Sequence, residues 1–271
     1  MRRGTMNCYV INLKSQQRRR DWMTSQLEQQ QIPFSIFDAI NASVADPELQ
    51  AFRDVEKRRH LSDPEVGCLL SHIGVWRRIA QGQDDFDVVL EDDVHLSRDF
   101  SDFLRTFPGD PREMALHKIE TFRARVTLSR HVNYRAGHRN AHALLTNHGG
   151  TGAYILSRSL ARELLLHVDE FRYAIDTELF AHGRRSFDAL KIYQWTPAPC
   201  VQDCLRQDRL SEKLLESQIS GAARFDQVMG RSRSASPFVH VLKNLLRRPY
   251  TRLYSLYLFP RGQMRAEIPY G

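Results

Sequence analysis

Only four cysteines occur in the 271 residues, Cys8, Cys68, Cys200 and Cys204, and no two form a C-x-x-C pair. That spacing excludes a disulfide-stapled framework and the usual thiolate zinc motifs, and leaves reduced, mostly buried thiols. No run of 18 apolar residues exists, so no segment reads as a membrane span. The opening Met1–Leu13 carries Arg2 and Arg3, but its apolar run from Cys8 to Leu13 is short and broken by Asn12, which is not the core of a signal peptide. A cytoplasmic protein is expected. Internal repeats and low-complexity tracts are also missing, which removes solenoids.

Net charge is missing from most of the chain. Residues 1–230 hold 31 basic and 31 acidic side chains, so the whole excess of +7 lies in residues 231–271, with eight bases against Glu267 alone. A neutral main body argues against a nucleic-acid groove, and a basic tail argues for an anionic surface as partner. Within that tail Phe238, Val241, Leu242, Leu245 and Leu246 recur at helical spacing up to Pro249, and Tyr250, Tyr254, Tyr257 and Phe259 alternate with Arg252 and Arg261. This pattern predicts an amphipathic extension over 226–271 lying on a membrane surface, peripheral to the inner membrane, with a main domain over 1–225.

The apolar content of 42% is enough for one full core. Residues 8–13 (CYVINL) read as a buried strand, and Trp22, Met23 and Leu27 as the apolar side of a following helix that Pro33 ends. Phe34, Ile36 and Phe37 suggest the next strand. Ser62-Asp63-Pro64-Glu65 is a capping box, opening a helix whose apolar face is Val66, Leu69, Leu70, Ile73, Trp76 and Ile79. Phe86–Leu90 reads as a strand ending in Glu91-Asp92-Asp93, and Met114–Ile119 and Ala153–Ser157 as two more, the last entered through Gly149-Gly150-Thr151-Gly152 and followed by a helix from Ser159. Alternating strands and helices predict an α/β sheet.

Ligands of open α/β sheets collect outside the carboxyl ends of the strands, which is where Glu91, Asp92 and Asp93 fall. Three hard oxygen donors suit Mg²⁺ or Mn²⁺ and exclude a soft-metal site.

Several blocks in order, VINLKSQQRRR, IPFSIFDAINA, LSDPEVGCLLSHIGVW, VVLEDDV, HKIET, HGGTGAYILSR and AIDTELF, resemble glycosyltransferase family 25 over roughly residues 6–205. This is the lipo-oligosaccharide galactosyltransferase group that also includes collagen galactosyltransferases. The resemblance implies a GT-A-type, Rossmann-like single domain and a metal-dependent, inverting transfer of a sugar, galactose from UDP-galactose, to a bacterial lipopolysaccharide or lipo-oligosaccharide acceptor. It implies Mn²⁺ or Mg²⁺ on the acidic motif, here Glu91 and Asp93 with Asp92 toward the donor, as Glu-Asp-Asp instead of the commoner Asp-x-Asp. It also implies an acidic element near the acceptor, here Asp176 and Glu178. A single displacement needs a carboxylate to take the acceptor hydroxyl's proton, and Asp176 is the expected base, with Glu178 an acceptor-binding group or alternative base.

Donor contacts are expected from Asn12 and Lys14 at the end of the first strand, from Arg18 or Arg19 on phosphate, and from Gly150 and Thr151, whose loop lets backbone approach a diphosphate closely. Ser71 and His72 are further donor-site candidates. On its helix His72 shares a face with Cys68, Leu69, Val75 and Trp76, so a hydrogen-bonded, half-buried imidazole is the favoured expectation and the donor-site role is secondary. Two other readings share these features: a saccharide-binding protein of the same fold without catalysis, and a metal-dependent nucleotidyltransferase.

Overall fold

The computed structural model describes residues 6–41, 52, 55–58, 60–181, 190–206 and 257–271. The chain opens with β1 (Cys8–Asn12), α1 (Gln17–Gln29) and β2 (Phe34–Asp38), and α2 (Asp63–Gln81) then leads to β3 (Phe86–Glu91) and β4 (Val94–Leu96). After α3 (Phe100–Thr106) come β5 (Ala115–Lys118), β6 (Glu120–Thr121), a hairpin of β7 (Arg125–Ala136) and β8 (Arg139–Leu144), and β9 (Ala153–Ser157). Two short helices, α4 (Arg158–Leu166) and α5 (Ile175–Phe180), precede β10 (Lys191–Thr196) and β11 (Cys200–Gln202), and β12 (Gln263–Glu267) follows near the chain end. The main sheet runs β12-β7-β8-β10-β5-β9-β3-β1-β2, and β4-β11-β6 form a small second sheet.

The expected α/β architecture is present, with a sheet of two characters. β2, β1 and β3 are parallel, whereas β9 runs antiparallel to both β3 and β5, and the β7–β8 hairpin and β12 are antiparallel throughout. In the parallel part side chains alternate between two cores. Val10, Val88 and Leu90 face α1 and α3 with Met23, Leu27, Phe100 and Phe103, while Ile11 and Val89 face α2 with Leu69, Ile73 and Trp76. Strands covered on both faces read as unbroken apolar runs, which is why CYVIN and FDVVL are recognisable. Each such fully buried aliphatic side chain contributes roughly 1.5–3 kcal/mol over leaving it in water.

Local chemistry fixes the helix ends. Glu65 accepts the Ser62 backbone N–H at 2.8 Å, closing the expected capping box at the start of α2. Ser157 accepts the Leu160 N–H and starts α4 directly off β9. Gly74 allows α2 to lie on β2, because a Cβ there would come within 2.4 Å of the Phe37 ring.

Part of the expected extension is built into the main body. β12 pairs with β7, the Thr121 hydroxyl donates to Ile268 O at 2.6 Å, and Ala198 N donates to Pro269 O at 2.8 Å. Residues 263–271 are therefore a sheet strand and its anchor, and the amphipathic stretch Phe238–Pro249 lies outside the described residues. No described helix is long and apolar enough to cross a membrane.

Candidate active site

β3 ends at Glu91, and a two-residue turn, Asp92-Asp93, leads into β4. The three carboxylates face different partners. Asp92 is occupied on both oxygens: Asn12 Nδ2 donates to Oδ2 at 2.8 Å and Arg19 Nη1 to Oδ1 at 2.7 Å. Glu91 accepts from the Thr151 hydroxyl on Oε1 at 2.6 Å and from Gln202 Nε2 on Oε2 at 3.1 Å. Asp93 Oδ1 lies 3.5 Å from the same Gln202 nitrogen, and its Oδ2 lies 3.5 Å from Arg19 Nη2. Glu91 and Asp93 thus converge on one neutral amide while Asp92 is turned back toward β1 and α1.

Arg19 reaches the turn because of the phase of α1. Arg19, Trp22, Met23, Gln26 and Gln30 follow helical spacing and share one face. Trp22 Nε1 and Gln26 Nε2 donate to Val94 O at 3.1 and 2.9 Å, Gln26 Oε1 accepts Leu96 N–H at 2.8 Å, and Gln30 Nε2 donates to Ser97 O at 3.0 Å. This polar face zips α1 along β4 and sets Arg19 over the acids. Arg18, one position before it, is exposed, so of the two arginines expected on phosphate it is Arg19 that stands beside the acids.

A fourth carboxylate, not anticipated, stands beneath. Glu120 on β6 is fully buried beside Lys118, whose Nζ donates to Glu120 Oε1 at 2.7 Å and to Gly150 O at 2.6 Å, and sits 3.9 Å above the Phe180 ring. Glu120 Oε1 also accepts Gly152 N–H at 2.8 Å, and Oε2 has no hydrogen-bond partner among the described residues. The glycine loop is cut to fit: a Cβ on Gly152 would lie 2.6 Å from Glu120 Oε2, and Gly150, at φ 79°, has Glu120 Oε1 3.0 Å from the same virtual position. The loop is therefore clamped from below by an ion pair, and it holds Thr151 against Glu91.

The second acidic element opens α5. Asp176 is largely buried, and its Oδ1 accepts the Thr177 backbone N–H at 2.8 Å. Glu178 Oε1 accepts two backbone N–H groups, of Arg172 at 2.7 Å and Tyr173 at 2.8 Å, which ties the preceding loop to the helix.

Burial and mutual repulsion shape the titration of the cluster. Asp93 is pushed up to about 7 by burial, then by the charge of Glu91 and also by Asp92 and Glu120, against Arg19. Glu120 is likewise raised to about 7 by burial, with Lys118 opposing. Asp92 is raised by burial in spite of Arg19 and Asn12. Burial also raises Glu91, but His72, Thr151 and Lys118 together outweigh it and hold that carboxyl below the usual range. Burial lowers Lys118, with Glu120, Asp176 and Glu91 drawing it back up. Four carboxylates, Glu91, Asp92, Asp93 and Glu120, thus crowd one another beside two cations, Arg19 and Lys118, and Asp176 acts on Lys118. An all-oxygen set with surplus negative charge fits a hard divalent cation, with Glu91 and Asp93 as the pair not committed to Asn12.

The remaining candidates scatter. Asn12 is buried with its Oδ1 unpartnered among the described residues, beside a cleft of about 330 Å³ lined by Leu13, Lys14, Ser15, Asp38, Ala39 and Asn41 at the carboxyl ends of β1 and β2. Lys14 is exposed and pairs with Asp38 at 3.3 Å. Ser71 faces away from the acids: its hydroxyl donates to Gly67 O at 2.6 Å and accepts Ile40 N–H at 2.9 Å. It fixes the segment after β2. His72 is fully buried, not half-buried, with Nε2 3.5 Å from Glu91 Oε1. Lys118, Glu120, Gln202 and Asp38 escaped the sequence reading; HKIET was visible as a block, but nothing in it marks a lysine and a glutamate that are both buried.

The chain is similar to known glycosyltransferases. A family model described as glycosyltransferase family 25 (LPS biosynthesis protein) matches residues 5–179. A putative glycosyltransferase of Haemophilus influenzae is 28% identical over 243 residues, spanning 87% of this chain and 82% of that protein. The lacto-N-neotetraose biosynthesis glycosyltransferase LgtE of Neisseria meningitidis is 29% identical, spanning 73% of this chain and 74% of its own. Human procollagen galactosyltransferase 2 is 31% identical over 106 residues, 36% of this chain and 17% of that one.

Proposed function

The chain belongs to glycosyltransferase family 25, and from that premise we propose that it transfers galactose from UDP-galactose, with inversion, to the saccharide of a lipopolysaccharide or lipo-oligosaccharide acceptor, using Mn²⁺ or Mg²⁺. The observation that carries the metal and the donor is the convergence of Glu91 and Asp93 beside Arg19 at the end of β3, with Asp93 raised to about 7 by burial and its acidic neighbours. Glu91 and Asp93 would hold the cation. Such an ion neutralises the charge of the departing diphosphate.

The chain's own groups do the rest. Arg19, already poised on Asp92 and Asp93, is the phosphate-side cation, and a guanidinium matches phosphate oxygens in pairs. The cleft between Lys14, Ser15, Asp38 and Asn41 accepts the nucleoside, with Asp38 the natural acceptor for ribose hydroxyls. Thr151 would stand beside the cation through its bond to Glu91. Asp176 takes the proton of the acceptor hydroxyl as its oxygen attacks the anomeric carbon, and the bond to the diphosphate breaks on the far side. Glu178, committed to two backbone N–H groups, shapes the loop that carries Asp176. The amphipathic basic stretch before residue 257 docks the enzyme on the anionic leaflet holding a lipid-linked acceptor; its support is the charge pattern of the sequence.

A donor screen with purified protein, Mn²⁺ and terminally varied oligosaccharide acceptors tests the reading. UDP release from UDP-galactose that depends on acceptor and is stopped by chelation is expected. Pyrophosphate release from a nucleoside triphosphate and a sugar phosphate would make the chain a nucleotidyltransferase, and saccharide binding without turnover would make it a binding protein.

A further inference from the structure

A run of buried polar side chains links α2 and β9 to the acidic turn. Trp76 Nε1 lies 2.8 Å from the Tyr154 hydroxyl, that hydroxyl lies 2.8 Å from His72 Nδ1, and His72 Nε2 stands 3.5 Å from Glu91 Oε1. Trp76, Tyr154 and His72 are each 0% exposed, so water does not take a share in the chain. We propose that His72 is a positioning residue of the donor site, locked by Trp76 and Tyr154 as the Nε2–H tautomer so that it holds Glu91 Oε1 in place; the assignment of Glu91 to donor binding rests on the function proposed above.

The direction of each bond follows from the inventory of donors. An indole N–H can only donate, so the Tyr154 oxygen accepts from Trp76. Burial, foremost, and the nearby Glu91 charge keep the phenol protonated, and the partner standing ready for its proton is His72 Nδ1. Accepting there leaves the imidazole's own proton on Nε2, which faces Glu91 and has no closer partner among the described residues. The opposite tautomer fails twice. It would leave the Tyr154 proton without this acceptor, and it would aim the Nε2 lone pair at a carboxylate oxygen. The ring is also braced by near-parallel stacking on Tyr154, at 24° and 5.7 Å between centroids.

The same argument decides against a second use of these atoms. One ligand atom from each of Cys68, His72 and Glu91 lies within 4.8 Å of the others, and Cys68 and His72 are one helical turn apart, a spacing that suits a soft metal. A nitrogen that carries the proton has no lone pair to offer. Glu91 Oε1 instead accepts from Thr151 of the glycine loop at 2.6 Å and has His72 Nε2 of α2 standing 3.5 Å away, while Oε2 is turned to the shared Gln202 amide.

¹⁵N-labelled histidine spectra of metal-free wild-type protein at neutral pH read the tautomer directly, independently of whether the chain is a transferase. One ring with protonated Nε2 and unprotonated Nδ1, assigned by its absence in His72→Gln, is expected; Tyr154→Phe should convert it to a mixture of tautomers. Calorimetry with Mn²⁺ and UDP supplies the second readout. His72→Leu should weaken Mn²⁺ binding about 10–100-fold, as loss of a supporting hydrogen bond to a ligand does. His72→Gln, whose amide N–H falls near the position of Nε2, should recover most of that loss. An Nδ1–H or doubly protonated ring in wild type, a spectrum unmoved by Tyr154→Phe, or Zn²⁺ shifting Nε2 as a direct ligand would overturn the proposal. Failure of wild type to bind Mn²⁺ with UDP would overturn the donor reading and leave the tautomer result standing.

Discussion

The two acidic elements look alike as strings, EDDV and DTEL, and are held in opposite ways. The triplet after β3 is held by residues far away in the chain: Asn12, Arg19, His72, Thr151 and Gln202 all converge on it. The pair on α5 is held locally, by backbone N–H groups at positions 172, 173 and 177. Carboxylates satisfied by neighbouring backbone shape a loop, and those satisfied by side chains distant in sequence form a site whose charge is unbalanced. Asp176 is the intermediate case, bonded locally by Thr177 but close enough to Lys118 to act on its protonation.

The sharpest break in that comparison is Asp93→Asn. It removes a charge that burial and the neighbouring acids disfavour more than Arg19 favours it, so turnover should vanish while thermal unfolding stays cooperative and no less stable, because a repelled buried carboxylate has been neutralised. Retained turnover would mean the triplet is structural after all.

Within α5 the two residues should separate. Asp176→Asn should lower turnover by about 10²–10⁴-fold at unchanged donor affinity, the usual loss of a general base. Glu178→Gln keeps an oxygen for both backbone N–H groups and should stay near wild-type rate, whereas Glu178→Ala strands them and should lower stability by about 1–3 kcal/mol in urea unfolding. Near-normal turnover of Asp176→Asn with a dead Glu178→Gln would exchange their roles.

A smaller effect distinguishes the clusters by pH. Asp93 and Glu120 are raised from ordinary values of 3.8 and 4.5 to about 7. A raised acid holds its proton when folded over a range in which the unfolded chain has lost it, so the stabilisation is complete below pH 4 and falls as pH rises toward 7. Asp99, held well below the usual range first by its bond to Arg139, gives its stability above about pH 4 and is constant across that window. The melting temperature of metal-free protein should therefore decline from pH 5 to 7.5, less steeply in Asp93→Asn. A decline equally steep in both would remove Asp93 from the cause.

How much of this was legible follows from the same contrast. β1, β2, β3, α2 and β9 could be read because apolar runs buried on both faces, Pro33 and the Ser62–Glu65 box are local signals. The β7–β8 hairpin could not: its strands RVTLSRHVNYRA and RNAHAL mix charges into both faces, and buried Arg139 finds its partners in Asp99 and Ser97. In the site, the triplet was visible as acids ending a strand. Lys118 and Glu120 were not, because fully buried lysine and glutamate run against composition and make sense only once each is seen beside the other. That Arg19 and not Arg18 stands beside the acids is a matter of helix phase, set by Gln26 and Gln30 meeting β4, which spacing alone does not reveal.

The central claim is that Glu91 and Asp93, and not Asp92, hold the cation that receives the donor. Calorimetric titration of Mn²⁺ into UDP-saturated wild type, Glu91→Gln, Asp92→Asn and Asp93→Asn tests it most directly. Wild type should bind one ion, Asp92→Asn should still bind it with weakened affinity as its ties to Asn12 and Arg19 loosen, and Glu91→Gln and Asp93→Asn should show no binding. Binding by Asp93→Asn equal to wild type, or loss confined to Asp92→Asn, would contradict the account.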